Sequence, residues 1–268
     1  MLDVCHHRWP MDASEMLAVL RTSVRNALQD TDRAAVAYSG GLDSSVLAHL
    51  AGEGCEIVAY TCALHRSFDA ANSTVRAREE GLKHILVKPS REEFCDAVKL
   101  TAKATRDYDP TRIAYTLPLV VVVNESSERV VLAGNGADEL FGGYARYLTA
   151  ADPRGEMRDD LEKARTEAAL IQSWAASEGK SVRFPYLDPV VVQACAGLEF
   201  EQLISGGQRK VILTETARLL GLASHAFPKK AAQYSSGVLR EMRRLARQES
   251  LTLSEWTRKV VEGDSRST

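Results

Sequence analysis

A short run of small apolar residues leads directly into a pair of glycines: Ala34-Ala35-Val36-Ala37-Tyr38-Ser39-Gly40-Gly41-Leu42-Asp43-Ser44-Ser45. The apolar half predicts a buried strand, and the glycines predict a sharp turn at its end. Residues 44–50 then follow a helical pattern, which Gly52 and Gly54 close. The order strand, glycine turn, helix is typical of an open α/β sheet, which binds its ligands where the strands end.

The glycine turn carries the groups that a phosphate needs. Glycines let backbone N–H groups approach a ligand closely, and the helix that follows directs its positive end at the same place. Hydroxyl groups add further donors to a multiply charged anion. A turn with a structural role alone is the alternative. We predict a phosphate site formed by Ser39, Gly40, Gly41, Asp43, Ser44 and Ser45.

Three other kinds of loop are excluded by the residues of this turn. It lacks the Gly-Lys-Ser/Thr of a Walker-type loop and the G-x-G-x-x-G of a dinucleotide-binding loop. It also lacks the G-x-S-x-G of a nucleophile elbow.

Short apolar strands and helical patterns alternate through the first half of the chain. Strands are predicted at 34–38, 56–61, 84–87 and 129–133, and helices at 16–28, 44–50, 70–81, 92–106 and 118–123. This alternation predicts an α/β fold with a doubly wound parallel sheet. No strand is predicted after about residue 151. We expect an α/β core at 1–150, a mainly helical C-terminal lobe at 151–262 and a disordered tail at 263–268.

A second glycine turn follows the predicted strand at 129–133, and it reads Gly134-Asn135-Gly136-Ala137-Asp138-Glu139. Its two carboxylates would repel a phosphate in the first turn unless a cation lay between them. Mg²⁺ prefers carboxylate and phosphate oxygens. A solvated acidic helix start is the alternative. We predict that Gly134 and Gly136 contact the ligand and that Mg²⁺ is held by Asp43, Asp138 and Glu139.

The two turns resemble those of a known enzyme family. The first resembles the loop of the N-type ATP pyrophosphatases, the PP-loop superfamily with an adenine nucleotide alpha-hydrolase-like fold. The second, with residues 140–144, resembles the signature of the synthetase domain of asparagine synthetases, and residues 108–118, 183–188 and 228–238 resemble that domain too. The resemblance implies that Mg-ATP is cleaved between its α- and β-phosphates. A substrate carboxylate would become an acyl-adenylate, which ammonia or an amine would convert into an amide.

The resemblance also implies roles for residues outside the two turns. The lysine of the 228–238 stretch, Lys229 or Lys230, would stabilise charge on the adenylate, although two solvated surface lysines are the alternative. Lys210 resembles the basic start of a helix in that family and is a further candidate. The adenine is expected beside Ala37, Tyr38 and Leu64, and part of the pocket is expected to be closed by Arg183 and Asp188.

The sequence departs from asparagine synthetases in two places. Members that use glutamine begin with a nucleophilic cysteine on a separate domain, whereas residue 2 here is Leu. We therefore expect nitrogen from ammonia, from an amine substrate or from a separate glutaminase subunit.

Asparagine synthetases carry Glu where this chain has Asn135, and lactam-forming relatives carry Tyr. We predict a catalytic place for Asn135 beside Asp138. An amide is no general base, so another group does that work, the nucleophile differs, or ATP is bound without turnover.

Composition and charge narrow the classes of function. The chain has 268 residues, 45% apolar, and neither an apolar run long enough for a membrane span nor a secretory signal. Five cysteines without a C-x-x-C pair favour a reduced, cytoplasmic protein over a disulfide or zinc framework. The partners that the resemblance implies are a small carboxylate and a nitrogen donor, and a homo-oligomer is left open.

Nucleic acid is an alternative partner. The net charge of −2 predicts no general affinity for it, but residues 201–268 hold twelve Lys or Arg against seven Asp or Glu. A basic run at 240–247 could contact the phosphates of a tRNA, as in base-modifying PP-loop enzymes. A solvated helix face with Leu239, Met242 and Leu245 turned inward is the other interpretation. A non-catalytic ATP-binding subunit is the third hypothesis for function.

Overall fold

Five strands form one sheet in the computed structural model of the protein, which describes residues 11–62, 64, 67–222 and 236–263. Every neighbouring pair is parallel, and the order is β3-β2-β1-β4-β5. The strands are β1 (Arg33–Ala37), β2 (Glu56–Cys62), β3 (Lys83–Val87), β4 (Val130–Leu132) and β5 (Ser181–Arg183).

Helices cover both faces of this sheet, which confirms the predicted doubly wound α/β fold. The α-helices of the described residues are α1 (Ala13–Leu28), α2 (Leu42–Gly52), α3 (Phe68–Glu79), α4 (Arg91–Thr105), α5 (Pro110–Glu125), α6 (Ala137–Leu140), α7 (Pro153–Ser177), α8 (Pro189–Ala196), α9 (Phe200–Leu203), α10 (Val211–Leu219), α11 (Val238–Gln248) and α12 (Leu253–Glu262). One apolar cluster joins the sheet to α1, α2 and α10, and a second joins it to α4, α5, α7 and α11. Along β1, Ala34 and Val36 belong to the first cluster and Ala35 to the second, because successive side chains of a strand point to opposite faces.

The helices differ in how their first turns are capped. The carboxylate of Asp12 accepts hydrogen bonds from backbone N–H groups in the first turn of α1, and the hydroxyl of Ser90 accepts one from the backbone N–H of Glu93 in α4. In contrast, the N-cap residue of α2 is Gly41 and that of α10 is Lys210, and neither residue makes a side-chain capping bond. Both of these starts lie at the candidate site.

The prediction that strands end near residue 151 is wrong. β5 pairs with β4 in parallel, so that Val182 lies opposite Val131, and the strands β6 (Ile204–Ser205) and β7 (Gln208–Arg209) form a small antiparallel hairpin. β5 has three residues and one buried side chain, too few for an alternating pattern to be visible in sequence. The second half of the chain therefore completes the sheet besides supplying helices. A domain boundary near residue 150 stays a prediction.

Two ambiguous segments of the sequence are both helical. The apolar run at 118–123, which could have been a strand by composition, lies within α5. The basic run at 240–247 lies within α11, where Leu239, Met242 and Leu245 are buried while its arginines are exposed. That distribution agrees with the interpretation of a solvated helix face. Among the described helices, none is both long and apolar enough to cross a membrane.

The order of the strands creates a crevice at one edge of the sheet. From β1 the chain passes outward to β2 and β3, and it then returns to form β4 on the other side of β1. The segments that follow β1 and β4 therefore diverge at neighbouring strand ends. Open α/β sheets bind ligands at such a switch point. Both glycine turns identified in the sequence begin there.

Candidate functional site

The first glycine turn is held in shape by backbone geometry and by α3. Gly40 has φ = +70°, a conformation that side chains disfavour, and a Cβ there would lie 2.8 Å from Asn72 Nδ2. The Asn72 amide donates to the main-chain oxygen of Ser39 at 3.1 Å. Because Gly41 provides no side-chain cap, the first N–H groups of α2 face the crevice as a site for an anion.

Two serines of the turn bond to the turn itself through long hydrogen bonds. The hydroxyls of Ser39 and Ser44 lie 3.2 Å apart, the N–H of Gly41 donates to Ser39 Oγ at 3.3 Å, and Ser44 Oγ donates to the Gly41 oxygen at 3.1 Å. These distances exceed the usual lengths of hydrogen bonds from hydroxyl and backbone N–H donors. A charged phosphate oxygen would make shorter and stronger bonds with the same groups.

Ser45 faces away from the turn. It is fully buried, and its hydroxyl lies 3.4 Å from the hydroxyl of Tyr38, which donates to Glu80 at 3.0 Å. Burial raises the pKa of the Glu80 carboxyl, although hydrogen bonds from Ser45 and Tyr38 oppose that effect. Burial also raises the pKa of Tyr38. Ser45 is thus buried against Tyr38 beneath the turn, and its predicted contact with the ligand stays a prediction.

The second turn lies directly against the first. A Cβ at Gly134 would lie 3.5 Å from Asp43 Cβ, and Gly136 has φ = +94°. Tyr186 packs beside both glycines, and its hydroxyl donates to the main-chain oxygen of Asp43 at 2.9 Å. The residues 39–45 and 134–139 therefore lie side by side, and that they share one ligand stays a prediction.

A lysine joins the two turns. Lys210 Nζ lies 2.5 Å from Asp43 Oδ1 and 2.7 Å from Asp138 Oδ1, and Lys210 is only 4% exposed. A Cβ at Gly143 would lie 1.9 Å from Asp138 Oδ1 and 2.3 Å from Lys210 Cε. Only glycine therefore leaves room for this contact. The sequence supplied Lys210 merely as a further candidate, because its two partners lie far from it along the chain.

Glu139, the third predicted metal ligand, is hydrogen-bonded to a neighbouring tyrosine. It is buried, and its carboxylate accepts a hydrogen bond from the hydroxyl of Tyr144 at 2.6 Å. Burial raises the pKa of the Glu139 carboxyl, and the Tyr144 bond opposes that effect. The guanidinium of Arg146 stacks 4.5 Å from the centre of the Tyr144 ring. Within the described residues, no group of three or more His, Cys, Asp or Glu is arranged to hold a metal ion.

The remaining predicted site residues fall into two groups. Asn135 and Leu64 are half-buried, and the N–H of Leu64 donates to the main-chain oxygen of Ser236 at 3.0 Å. Leu64 therefore lies next to the start of α11, and its predicted contact with the adenine stays a prediction. Lys229 and Lys230 lie outside the described residues, and their predicted role stays a prediction.

Arg183 and Asp188 have structural partners. Arg183 forms a two-pronged ion pair with Asp30 and also donates to the Ala27 oxygen, while Asp188 accepts from the N–H of Val190 at the start of α8. Both residues line a cleft of about 380 Å³ outside β5. Leu187, which packs on Gly136, lines the same cleft. They therefore border the site rather than meet the two aspartates.

A family model matches more than half of the chain. The family model described as asparagine synthase matches residues 15–181, which include both turns, the first four strands of the sheet and the helices between them. The chain belongs to the asparagine synthase family.

Two curated members of the asparagine synthase family give the extent of the likeness. The chain is 32% identical over 205 residues to a Methanocaldococcus jannaschii protein named "Putative asparagine synthetase (glutamine-hydrolyzing) 1", covering 72% of this chain and 38% of that protein. It is 24% identical over 251 residues to asparagine synthetase B (glutamine-hydrolyzing) of Escherichia coli K12, covering 85% and 45%. The chain thus spans less than half the length of either relative.

One solved structure aligns with most of this chain at a low TM-score. The U34-tRNA thiolase from Methanococcus maripaludis, with its [4Fe-4S] cluster, aligns over 94% of this chain and 78% of that one, with 14% identity and a TM-score of 0.39.

Proposed function

We propose that this protein uses ATP to adenylate a substrate carboxylate, releasing pyrophosphate, and then forms an amide with ammonia or an amine. The main observation behind the proposal is that Asp43 and Asp138 both contact Lys210 at the strand switch point. The uncapped start of α2 lies beside them. An anion-binding turn next to paired carboxylates is suited to a triphosphate with a divalent cation. Membership of the asparagine synthase family supports the same chemistry.

Each side of the crevice has a separate task in this proposal. The hydroxyls of Ser39 and Ser44 and the N–H groups at the start of α2 would bind the β- and γ-phosphates. The carboxylates of Asp43 and Asp138 would hold Mg²⁺, which favours one or two carboxylates together with phosphate oxygens. When bound, Mg²⁺ would neutralise charge on the departing pyrophosphate. Glu139, bonded to Tyr144, would keep the second turn in position rather than bind the ion.

The amide-forming half of the reaction is assigned to other residues. Asn135, half-buried in the second turn, would face the nitrogen nucleophile, and Lys229 or Lys230 would stabilise charge on the adenylate. An asparagine can orient an amine through its amide oxygen without accepting its proton. Ammonia, an amine substrate or a separate glutaminase subunit would supply the nitrogen. We further propose that the protein forms a homo-oligomer and that it is cytoplasmic. The free thiols of the described cysteines support the cytoplasmic location.

Exchange of labelled pyrophosphate into ATP tests the proposal. A panel of carboxylic acids should contain one that stimulates exchange, and AMP should accumulate when ammonium or an amine is added. Asp138→Asn should reduce exchange at least a hundredfold. The matched control is Asp96→Asn, since that carboxylate is on the surface of α4 and pairs with the exposed Lys99. Binding of ATP without AMP from any acid would leave a non-catalytic nucleotide-binding role instead.

A further inference from the structure

The contact between Lys210 and the two aspartates is built into the fold by several elements. Lys210 adopts the left-handed conformation, with φ = 57° and ψ = 41°, at the start of α10. The hairpin of β6 and β7 precedes it, and the guanidinium of Arg209 donates to the main-chain oxygen of Gly143. A Cβ at Gly142 would lie 2.7 Å from Ile204 Cγ1. Glycines on one side and a strained lysine on the other thus bring the ammonium to this place.

Electrostatics explain why a cation is needed there. The side chains of Asp43 and Asp138 are only 13% and 15% exposed, and they contribute two negative charges to one small volume. Two carboxylates that share a site repel each other unless a positive group lies between them. Lys210 supplies that group, and its own side chain is 5% exposed. The ammonium is therefore a counter-ion rather than a surface charge.

A divalent ion would use the same oxygens. Mg²⁺ binds carboxylate oxygens at about 2.0–2.1 Å and keeps a compact octahedral shell. Nζ of Lys210 already lies 2.5 and 2.7 Å from one oxygen of each aspartate. An ammonium and a divalent cation cannot both occupy the space between these atoms without strong repulsion. Binding of the ion therefore requires that Lys210 move to another anion.

We propose that Lys210 is an exchangeable counter-ion that excludes free divalent cations from Asp43 and Asp138 and admits them only together with a polyphosphate. The phosphate oxygens give the displaced ammonium a new partner, so the metal and the polyphosphate bind cooperatively. The role of the polyphosphate rests on the proposed function. The competition between the lysine and the metal for the two aspartates rests on the geometry alone.

Binding of Mn²⁺, followed by electron paramagnetic resonance, tests this inference without catalysis. The wild-type protein should bind Mn²⁺ at least tenfold more tightly with pyrophosphate than without it. Lys210→Met should bind Mn²⁺ alone at least tenfold more tightly than wild type does, and adding Asp43→Asn to that variant should remove the gain. Lys103→Met is the control, because Lys103 is an exposed lysine paired with Glu178, and it should leave Mn²⁺ affinity unchanged.

Two outcomes would overturn the inference. One is a folded Lys210→Met protein whose affinity for Mn²⁺ alone equals that of wild type. The other, which needs no variant to fold, is a wild-type protein that binds Mn²⁺ equally well with and without pyrophosphate. Failure of pyrophosphate exchange would sink the proposed reaction but would leave both of these titrations interpretable.

Discussion

Tyr186 reaches across the site to Asp43, donating its phenolic hydrogen bond to the main-chain oxygen of that residue at 2.9 Å. The tyrosine comes from the short turn after β5, whereas Asp43 lies in the first turn of α2 after β1. Tyr186 is 1% exposed, so the bond is shielded from water. The edge strand of the sheet thereby helps to fix the first glycine turn, although the two segments are far apart in sequence.

Tyr186→Phe should therefore loosen the first glycine turn while keeping the aromatic ring in place. Loss of one buried hydrogen bond costs about 1 kcal/mol of unfolding free energy, and we expect a weaker affinity for ATP as well. Urea unfolding and equilibrium ATP binding measure the two effects. Tyr147→Phe is the matched control, since its buried hydroxyl donates to Asp160 and it should lose stability without losing ATP affinity. Equal ATP affinities in the two variants would contradict the role of Tyr186.

The serines of the first turn should separate into two classes. Ser39 is exposed at the crevice, whereas Ser45 is fully buried against Tyr38. A hydrogen bond to a charged partner contributes roughly 1.5–3 kcal/mol, so Ser39→Ala should raise the KM for ATP about tenfold or more. Ser45→Ala should change that KM less than twofold and should lower stability instead. Steady-state kinetics and urea unfolding of both variants decide the point, and a reversed order would refute it.

The sequence was informative about the site wherever the chemistry is local. The turn after β1 and the turn after β4 could both be identified from glycines and polar residues at the end of an apolar strand. The parallel sheet then placed them together, because neighbouring parallel strands end at one edge. Local patterns were therefore enough to predict that the two turns adjoin each other.

Contacts across long sequence separations were beyond such patterns. Lys210 meets Asp43 from 167 residues away, and no spacing rule connects the two. Glu139 adjoins Asp138 in α6 and also accepts a hydrogen bond from Tyr144, a contact that its spacing does not reveal, and its role as a metal ligand stays a prediction. β5 was not predicted because three residues are too few to show an alternation of apolar and polar side chains. Each of these features depends on contacts within the folded chain that local sequence patterns do not encode.

Gly143→Ala should disrupt the site through the addition of a single methyl group. The new Cβ would lie 1.9 Å from Asp138 Oδ1, so the turn or the Lys210 side chain would have to move. Overpacking of this kind costs about 1–3 kcal/mol of unfolding free energy, and ATP binding should weaken at the same time. Thermal unfolding and ATP titration measure both.

Gly52→Ala is the matched control for that substitution. Gly52 is in the last turn of α2, and a Cβ there would meet nothing within 4 Å. Alanine is favoured over glycine in helices by up to about 1 kcal/mol, so this variant should be as stable as wild type or more stable. A Gly143→Ala protein with the stability and ATP affinity of Gly52→Ala would contradict the packing argument.

Glu80 should make the stability of the protein depend on pH. Burial raises the pKa of its carboxyl above the ordinary value of 4.5, so the folded state binds its proton more tightly than the unfolded state does. The stabilisation from this group is complete below pH 4.5 and is lost as the pH rises through the raised value. Glu80→Gln should remove this loss, so that its stability relative to wild type increases with pH across that window.

Ser45→Ala supplies a second test of the same coupling. The Ser45 hydrogen bond lowers the pKa of Glu80 against the effect of burial, and its removal should raise that pKa further. The decline in stability with rising pH should then continue to a higher pH than in wild type. Urea unfolding at a series of pH values from 4.5 upward measures this shift. Parallel curves of stability against pH for wild type, Glu80→Gln and Ser45→Ala would mean that the Glu80 carboxyl does not titrate with folding. Tyr38 and Ser45 would then support the first glycine turn without it.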